Sequence, residues 1–242
     1  STLKKTQVNE SIPMLNPKAG ISYFLSTAST LYFSFAHATK EPNRSDYKEY
    51  AKNIKKGAEL PRQEKVNDFE LGWRYISEKV KLNANVYYML YKDQLVLTGD
   101  ISNTGYSLRK NSGKSYRTGV EIDATVALAP RWEWAPNVSF SKNKNIDYTI
   151  QDPNTPTQKI NLGNTDISFS PDWVVGNTIS FTPIDNFQIS LISKYIGERY
   201  LTNENQENAL LEDFLVHSLH LSYELLPQKL FKSVLFSVTA NN

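Results

Sequence analysis

The 242-residue sequence contains no cysteine. That absence excludes a disulfide framework and any thiolate metal site, though not an oxidising compartment. Histidine is scarce: His37, His217 and His220 are the three present. The last two are three residues apart in a segment that reads as a strand, so they face opposite sides and do not make a shared metal site. An excess of charge is lacking too, with 27 Lys and Arg against 25 Asp and Glu and a formal charge of +2. No strand carries a basic face, so nucleic-acid binding is not expected. No apolar run approaches about 18 residues, which excludes a transmembrane helix. It does not exclude a membrane, because barrel strands alternate apolar and polar residues and keep an ordinary mean hydropathy. No signal peptide heads the chain, a segment that a mature exported protein would have shed. There is no G-x-S-x-G elbow and no phosphate-cradling glycine loop. The sequence calls for no enzyme, no cofactor and no metal.

What the chain has is alternation. In Lys79–Asp93, KVKLNANVYYMLYKD, Val80, Leu82, Ala84, Val86, Tyr88 and Leu90 share one face, and Lys81, Asn83, Asn85, Tyr87, Met89 and Tyr91 share the other. This is the period of a β-strand. Nine further segments repeat it. They lie near 18–26, at 31–38, 68–75, 116–128 and 132–141, near 173–181, 187–200 and 214–225, and from about 233 onward. Within 116–128, Tyr116, Thr118, Val120, Ile122, Ala124 and Val126 oppose Arg117, Gly119, Glu121, Asp123 and Thr125. No segment reads as a convincing helix, although the lysine-rich run 48–60 has room for one or two helical turns within a loop.

The connections alternate in length. Those near 27–29, 77–79, 129–131, 183–186 and 227–232 are short. Those near 39–67, 99–114, 145–170 and 201–213 are long. An up-and-down barrel in an outer membrane has this rhythm, whereas a soluble Greek-key sandwich has no reason to keep it. Ten residues at about 3.3 Å each, tilted about 45°, span about 23 Å, close to the apolar band of such barrels. The 14 Tyr, 11 Phe and 4 Trp fall into two groups. Tyr23, Trp73, Tyr75, Trp132, Trp134, Phe181 and Phe187 lie toward the short turns. Tyr91, Tyr116, Trp173, Tyr195 and Tyr200 lie toward the long loops. Two aromatic belts suit two membrane interfaces. The predicted fold class is therefore all-β: part of an antiparallel up-and-down transmembrane barrel of about ten strands. Val80, Leu82, Val86 and Leu90 would touch lipid, and Asn83 and Asn85 would line water. A soluble β-sandwich that binds a ligand and a passive porin-type channel are the alternatives.

Several stretches carry a family resemblance in order. LYFSFAHATKEPNRSDY at 31–47 (with Lys40, Pro42 and Asn43) and LPRQEKVNDFELGWRY at 60–75 (with Pro61, Glu64, Lys65, Glu70 and Gly72) come first. NVYYMLYKDQLV at 85–96, SYRTGVEID at 115–123 (with Gly119 and Glu121), SKYIGERYLTN at 193–203 and the final FSVTANN follow. The chain resembles the barrel of TonB-dependent outer-membrane receptors. The resemblance implies active uptake of a large scarce nutrient, such as an iron chelate, haem, cobalamin or a glycan. It implies ligand capture at external loops, an N-terminal plug that gates the lumen, and energy supplied through TonB by an inner-membrane complex. Such receptors have a barrel of about 22 strands, so residues 1–242 are expected to be its C-terminal portion. The first and last strands are then expected to pair with protein outside this sequence or with neighbouring copies.

Candidate ligand-contacting residues follow from polarity. In the charged loop 40–65, Arg44, Lys48, Lys52, Lys55 and Lys56 could attract an anionic ligand. On the water-facing columns, Arg74, Arg117 and Glu121 are the candidates, with Glu121 and Asp123 expected to form ion pairs with Arg117 or Arg74. Glu121 and Asp123 share a face about 7 Å apart, a spacing that could mimic a glycosidase pair, though nothing else supports one. The neutral polar stretch 151–165 suits hydrogen bonding to a sugar or simple solvation.

Overall fold

A computed structural model describes residues 14–53, 60–101, 107–152, 154–155, 158–227 and 231–242. In chain order the elements are β1 (Lys18–Phe24), β2 (Ser29–Lys40), α1 (Arg44–Asn53), β3 (Glu64–Ile76), β4 (Val80–Lys92), β5 (Leu95–Ile101) and β6 (Ser107–Asn111). They continue with β7 (Lys114–Ala129), β8 (Trp132–Ile146), β9 (Thr149–Gln151), β10 (Lys159–Asn161), β11 (Thr165–Asp166), β12 (Trp173–Ile184) and β13 (Phe187–Ile196). Last come β14 (Arg199–Tyr200), β15 (Leu210–Leu211), β16 (Phe214–Leu225) and β17 (Val234–Asn241). Ten strands run side by side as β1-β2-β3-β4-β7-β8-β12-β13-β16-β17, and β11 adds to β8. Every main-chain neighbour on this path is also the next long strand in sequence, and every pairing is antiparallel. Among the described residues β1 and β17 each have one neighbour, so the sheet is open.

The tight connections at 25–28, 77–79, 130–131 and 185–186 lie at one end of the sheet, and the long connections begin and end at the other. At the tight end Arg131 and Asn186 adopt left-handed backbone, with φ 70 and φ 65. Asn tolerates that conformation; an arginine there is uncommon. Arg131 donates to the carbonyls of Thr182 and Pro183 and reaches the Asp185 carboxylate at 3.4 Å, so one turn holds the next.

Three expectations need correction at the long-loop end. First, α1 is a ten-residue helix that begins at Arg44, before the lysine-rich run. Its start is set by Asn43, whose N–H donates to the Asp46 carboxylate at 2.8 Å while its carbonyl accepts from the Asp46 N–H at 3.0 Å. A carboxylate returning to the N-cap amide is the logic of a capping box. Second, the long loops carry their own hairpins, β5 with β6, β9 with β10, and β14 with β15. Third, Tyr91 is not in the lipid-facing belt. It shares the column of Tyr87 and Met89, and its hydroxyl lies 3.6 Å from the Met89 sulfur.

The alternation holds in space. Phe33, Leu71, Val86, Val120, Phe140 and Trp173 stand in one register row across six strands. Leu71 is 56% exposed, Val86 50% and Val120 38%. The buried residues of the sheet are polar instead, among them Ser115, Ser141, Asn143, Asn145, Ser180 and Ser190. Ser180 and Ser190 share a hydrogen bond of 2.9 Å between their hydroxyls. A globular domain arranges these the other way round. Val96, Tyr148 and Ile167 are the buried hydrophobic side chains among the described residues, and all three sit in the long loops. Among the described residues this single-layer sheet has no second sheet over its apolar face, and the soluble-sandwich alternative falls with that observation.

Candidate functional site

The polar face encloses a recess of about 400 Å³ lined by Tyr32, Arg74, Asn83, Asn85, Glu121 and Asp123. Register explains the gathering. One row runs Tyr32, Gly72, Asn85 and Glu121; the next runs Thr30, Arg74, Asn83 and Asp123. Even spacing along four antiparallel strands puts all of these on the same side. Gly72 makes room for the aromatic ring: a Cβ there would lie 2.0 Å from Cζ of Tyr32. The ring lies flat over the glycine, Arg74 stacks on it with its guanidinium 4.8 Å from the centroid, and the Tyr32 hydroxyl donates to Asn85 Oδ1 at 3.3 Å. Gly119 repeats the device, since a Cβ there would meet the Tyr87 hydroxyl at 2.8 Å. Aromatic rings covering strand glycines fill the space that the missing side chain leaves.

The recess holds one cation and two carboxylates. Asn83 donates to Asp123 at 2.9 Å. The expected ion pairs are not formed among the described residues: Arg74 faces the Tyr32 ring, and Arg117 donates to Asn143 Oδ1 at 3.3 Å and to the Ser170 hydroxyl at 3.1 Å. Arg117 is four residues from Glu121 on the same column, roughly 13 Å along the strand, too far to pair with it. The structure therefore unites Arg74 with Glu121 and separates Arg117 from both. Tyr32 belongs to the recess although only its parity between Leu31 and Phe33 could have indicated it. The donors and acceptors here suit hydrogen bonding to a hydrated polar solute and offer no proton-transfer or nucleophilic arrangement.

Arg44 and Lys48 are exposed on α1, at the long-loop end and far from the recess. Lys52 is on the same helix, and Lys55 and Lys56 lie outside the described residues. The rest of this end is a polar collar. Asn145 donates to Thr165 Oγ1 at 3.3 Å and to Asn203 Oδ1 at 3.2 Å, and Asn203 also accepts from the Ser168 N–H at 3.0 Å. Asn205 donates to Asp166 at 2.9 Å, and Lys144 pairs with Asp166 at 2.5 Å. Lys142 pairs with Asp172. Tyr148 is fully buried, with the Lys110 ammonium 4.4 Å above its ring. Burial pushes its phenol well above the usual tyrosine range, and the Glu204 carboxylate adds to the shift. Of the stretch 151–165, Gln151 ends β9, Lys159–Asn161 form β10 and Thr165 opens β11. His217 and His220 make separate hydrogen bonds, to Ser193 and Thr239, and no group of metal-ligating side chains occurs among the described residues.

A meandering sheet with apolar residues outside, a polar inner face and long loops at one end has the form of the wall of an outer-membrane barrel. The family model described as "TonB dependent receptor-like, beta-barrel" matches residues 5–242. The chain belongs to the TonB-dependent receptors. Proteins of this family are receptors and transporters of the Gram-negative outer membrane, not enzymes. Among curated proteins the chain is 29% identical over 147 residues to the pesticin receptor of Yersinia enterocolitica, and equally to that of Yersinia pestis. The match covers 59% of this chain and 20% of the relative, so the chain spans about a fifth of the length of the curated relatives it matches. Solved structures with the same fold include the copper transporter OprC (TM-score 0.67, 14% identity, 93% of this chain and 32% of that one). The ferric yersiniabactin uptake receptor FyuA from Yersinia pestis is another (TM-score 0.58, 18% identity, 94% and 36%). As with the ferric enterobactin receptor PfeA from Pseudomonas aeruginosa (TM-score 0.64, 15% identity, 94% and 34%), these likenesses concern the fold.

Proposed function

We propose that residues 1–242 form the later part of the barrel of a receptor that imports a large scarce nutrient, foremost an iron chelate, across the outer membrane. In this reading further strands join the free edges of β1 and β17, because an open sheet in lipid leaves backbone groups without partners. A plug domain gates the lumen and TonB supplies the energy. This chain contributes lipid-facing wall, lumen lining and external loops. The observation that carries the reading is the recess lined by polar side chains, among them Tyr32, Arg74 and Glu121, behind an outward apolar face. Iron-chelate cargo is supported by the relatives' names: FyuA is a ferric yersiniabactin uptake receptor and PfeA a ferric enterobactin receptor. Arg44, Lys48 and Lys52 on α1 would attract the anionic chelate at the entrance, and Arg74, Arg117 and Glu121 would meet it as it descends.

The test is uptake of radioactive iron by cells that depend on this receptor, supplied with a panel of ferric chelates, with TonB present and with TonB deleted. Accumulation of at least one chelate that stops without TonB is expected. Accumulation that continues without TonB would make the protein a passive channel. If replacing Arg44, Lys48 and Lys52 together by Gln leaves chelate affinity unchanged, those residues have no part in capture.

A further inference from the structure

The inner face departs from its polar character at one place. On β12, β13 and β16 the residues that share that face include Val174, Ile192, Ile196, Phe214 and Val216. Register sets them together. One row runs Glu121, Ser139, Val174, Ile196 and Phe214, and the next runs Asp123, Asn137, Gly176, Lys194 and Val216. Ile192, between Thr178 and Ser218, lies one row further from the long loops. The same face of β7 and β8 carries Glu121, Asp123, Asn137, Ser139 and Ser141 instead. Ile192 is 39% exposed and Phe214 38%, although both turn away from the lipid-facing side. Among the described residues no second layer covers them. Stability of the sheet therefore gives no reason for aliphatic side chains at these positions. A contiguous apolar patch rimmed by polar residues marks a binding surface.

Charge identifies what the patch fits. Lys194 stands at its centre, with Ile192 and Ile196 two residues away on its own strand and Gly176 and Val216 directly across from it. The diagonal neighbours on this face, Val174, Thr178, Phe214 and Ser218, carry no charge. Among the described residues Lys194 has no ion-pair partner. The acid of its own row, Asp123, is three strands away, roughly 14 Å at about 4.8 Å per strand. Asn137 leans over Gly176, where a Cβ would meet its amide nitrogen at 2.5 Å, so an amide group borders the cation. A second cation stands at the open end of the patch: the Arg199 guanidinium is 5.3 Å from the centroid of the Phe214 ring. Because β13 ends at Ile196 and β16 begins at Phe214, the patch opens toward the long loops. Cations set among aliphatic and aromatic side chains favour a ligand that is both anionic and apolar. A hydrated anion without apolar surface leaves the aliphatic groups unused, and an apolar cation is repelled.

We propose that Val174, Ile192, Lys194, Ile196, Phe214 and Val216 form a subsite for the aromatic, anionic part of the imported iron chelate. The proposal rests on the import reading above and deepens it by naming the chemistry that selects the cargo. The apolar side chains take the ring, Lys194 takes the carboxylate or phenolate charge, and the Asn137 amide is placed to donate to the same oxygens. The recess around Arg74, with its two carboxylates and its amides, offers no comparable apolar surface. Selection between chelates therefore lies on the β12–β16 side of the wall.

The experiment uses cells that depend on the full receptor, with ferric enterobactin, ferric citrate and ferrioxamine B competing for uptake. The first is an aromatic anion, the second an anion without rings and the third an aliphatic cation. Ferric enterobactin should be preferred. Ile192→Ser/Val216→Ser should weaken its binding about tenfold or more through lost apolar contact. Lys194→Gln should weaken it about tenfold, the worth of a hydrogen bond to a charged group. Lys194→Arg keeps the charge and Ile192→Val removes one methylene, so each should stay within about fourfold of wild type. Unchanged gel migration before heating verifies that the variants fold. Preferred uptake of ferric citrate or ferrioxamine B would overturn the subsite and leave the import reading standing. Unchanged affinity in both Ile192→Ser/Val216→Ser and Lys194→Gln would do the same. Variants that admit a large antibiotic such as vancomycin, whatever their chelate affinity, would show that the patch seats the plug, and would overturn it too. Uptake of no ferric chelate with TonB present would overturn the import reading together with this proposal, and is thereby distinguishable from the other results.

Discussion

Neighbouring residues on one strand offer the sharpest test of which face meets lipid. Val120 and Glu121 are adjacent on β7 and point to opposite sides. Val120 sits between Val86 and Phe140 in the middle of the apolar band, four residues inward from Tyr116 and six from Val126, the register partner of Trp134. Lysine there would place an ammonium near the bilayer midplane at a cost of about 2–4 kcal/mol. Taking about 3 kcal/mol, the folding equilibrium falls on the order of a hundredfold. Glu121→Lys makes a larger formal change in charge, two units, but in a wet recess that already contains Asp123. An exposed substitution of this kind shifts stability by about 0.5 kcal/mol or less. The assay is urea titration of the receptor refolded into phospholipid vesicles, followed by tryptophan fluorescence and by gel migration of unheated samples. Val120→Lys should lose about 2–4 kcal/mol and Glu121→Lys should match wild type within error. Equal losses, or a larger loss for Glu121→Lys, would refute the assignment of faces on which the whole functional reading stands.

Further expectations concern single contacts. Gly72→Ala should destabilise by about 1–3 kcal/mol through collision with Tyr32, and the double variant Gly72→Ala/Tyr32→Ala should recover part of that loss in the same titration. Trp134 donates its indole N–H to Asn177 Oδ1 at 2.6 Å on the lipid-facing side. Trp134→Phe should therefore cost about 1–3 kcal/mol by leaving that amide unpaired, and adding Asn177→Val should restore stability. Asp46→Ala removes the bond to the Asn43 amide and an anion from the first turn of α1, so hydrogen exchange within residues 44–53 should quicken while the barrel strands keep their protection. The buried phenol of Tyr148 has its pKa raised, mainly by burial. A released loop would ionise near the usual tyrosine value of about 10, so the collar keeps this contribution below about pH 10 and loses it as pH rises beyond. Tyr148→Phe should flatten that alkaline loss, read by hydrogen exchange at 144–168.

The strands and their faces were legible because two solvents impose a strict period of two. A run such as Val80 to Leu90 has to alternate when lipid lies on one side and water on the other, and no local preference can hide it. The order of short and long connections was legible for the same reason, since it follows strand ends. Partners across the sheet were less so. One sequence shows that Arg74, Arg117 and Glu121 share a face, but not the register that sets Arg74 beside Tyr32 and Arg117 beside Asn143. The ion pairs expected for them required a register that the chain does not have. The helix α1 was hidden because its residues, RSDYKEYAKN, carry almost no apolar stripe; Asn43 and Asp46 were the readable signals, as cap and N3 residue. The collar was hidden because asparagines such as Asn145 and Asn203 act through contacts far apart in sequence, and their composition resembles that of any solvated loop.

The unbroken meander has a consequence for how the wall assembles. Each long strand needs only the one before it, so the search for partners is local and no distant segment must arrive first. Low contact order of this kind favours rapid formation from short loops. Growth can proceed by adding one hairpin at a time to an existing rim. A lesion in the middle, for example at β8, would then stall everything downstream while leaving the earlier hairpins intact, and the stalled rim would expose a ready template for unwanted pairing.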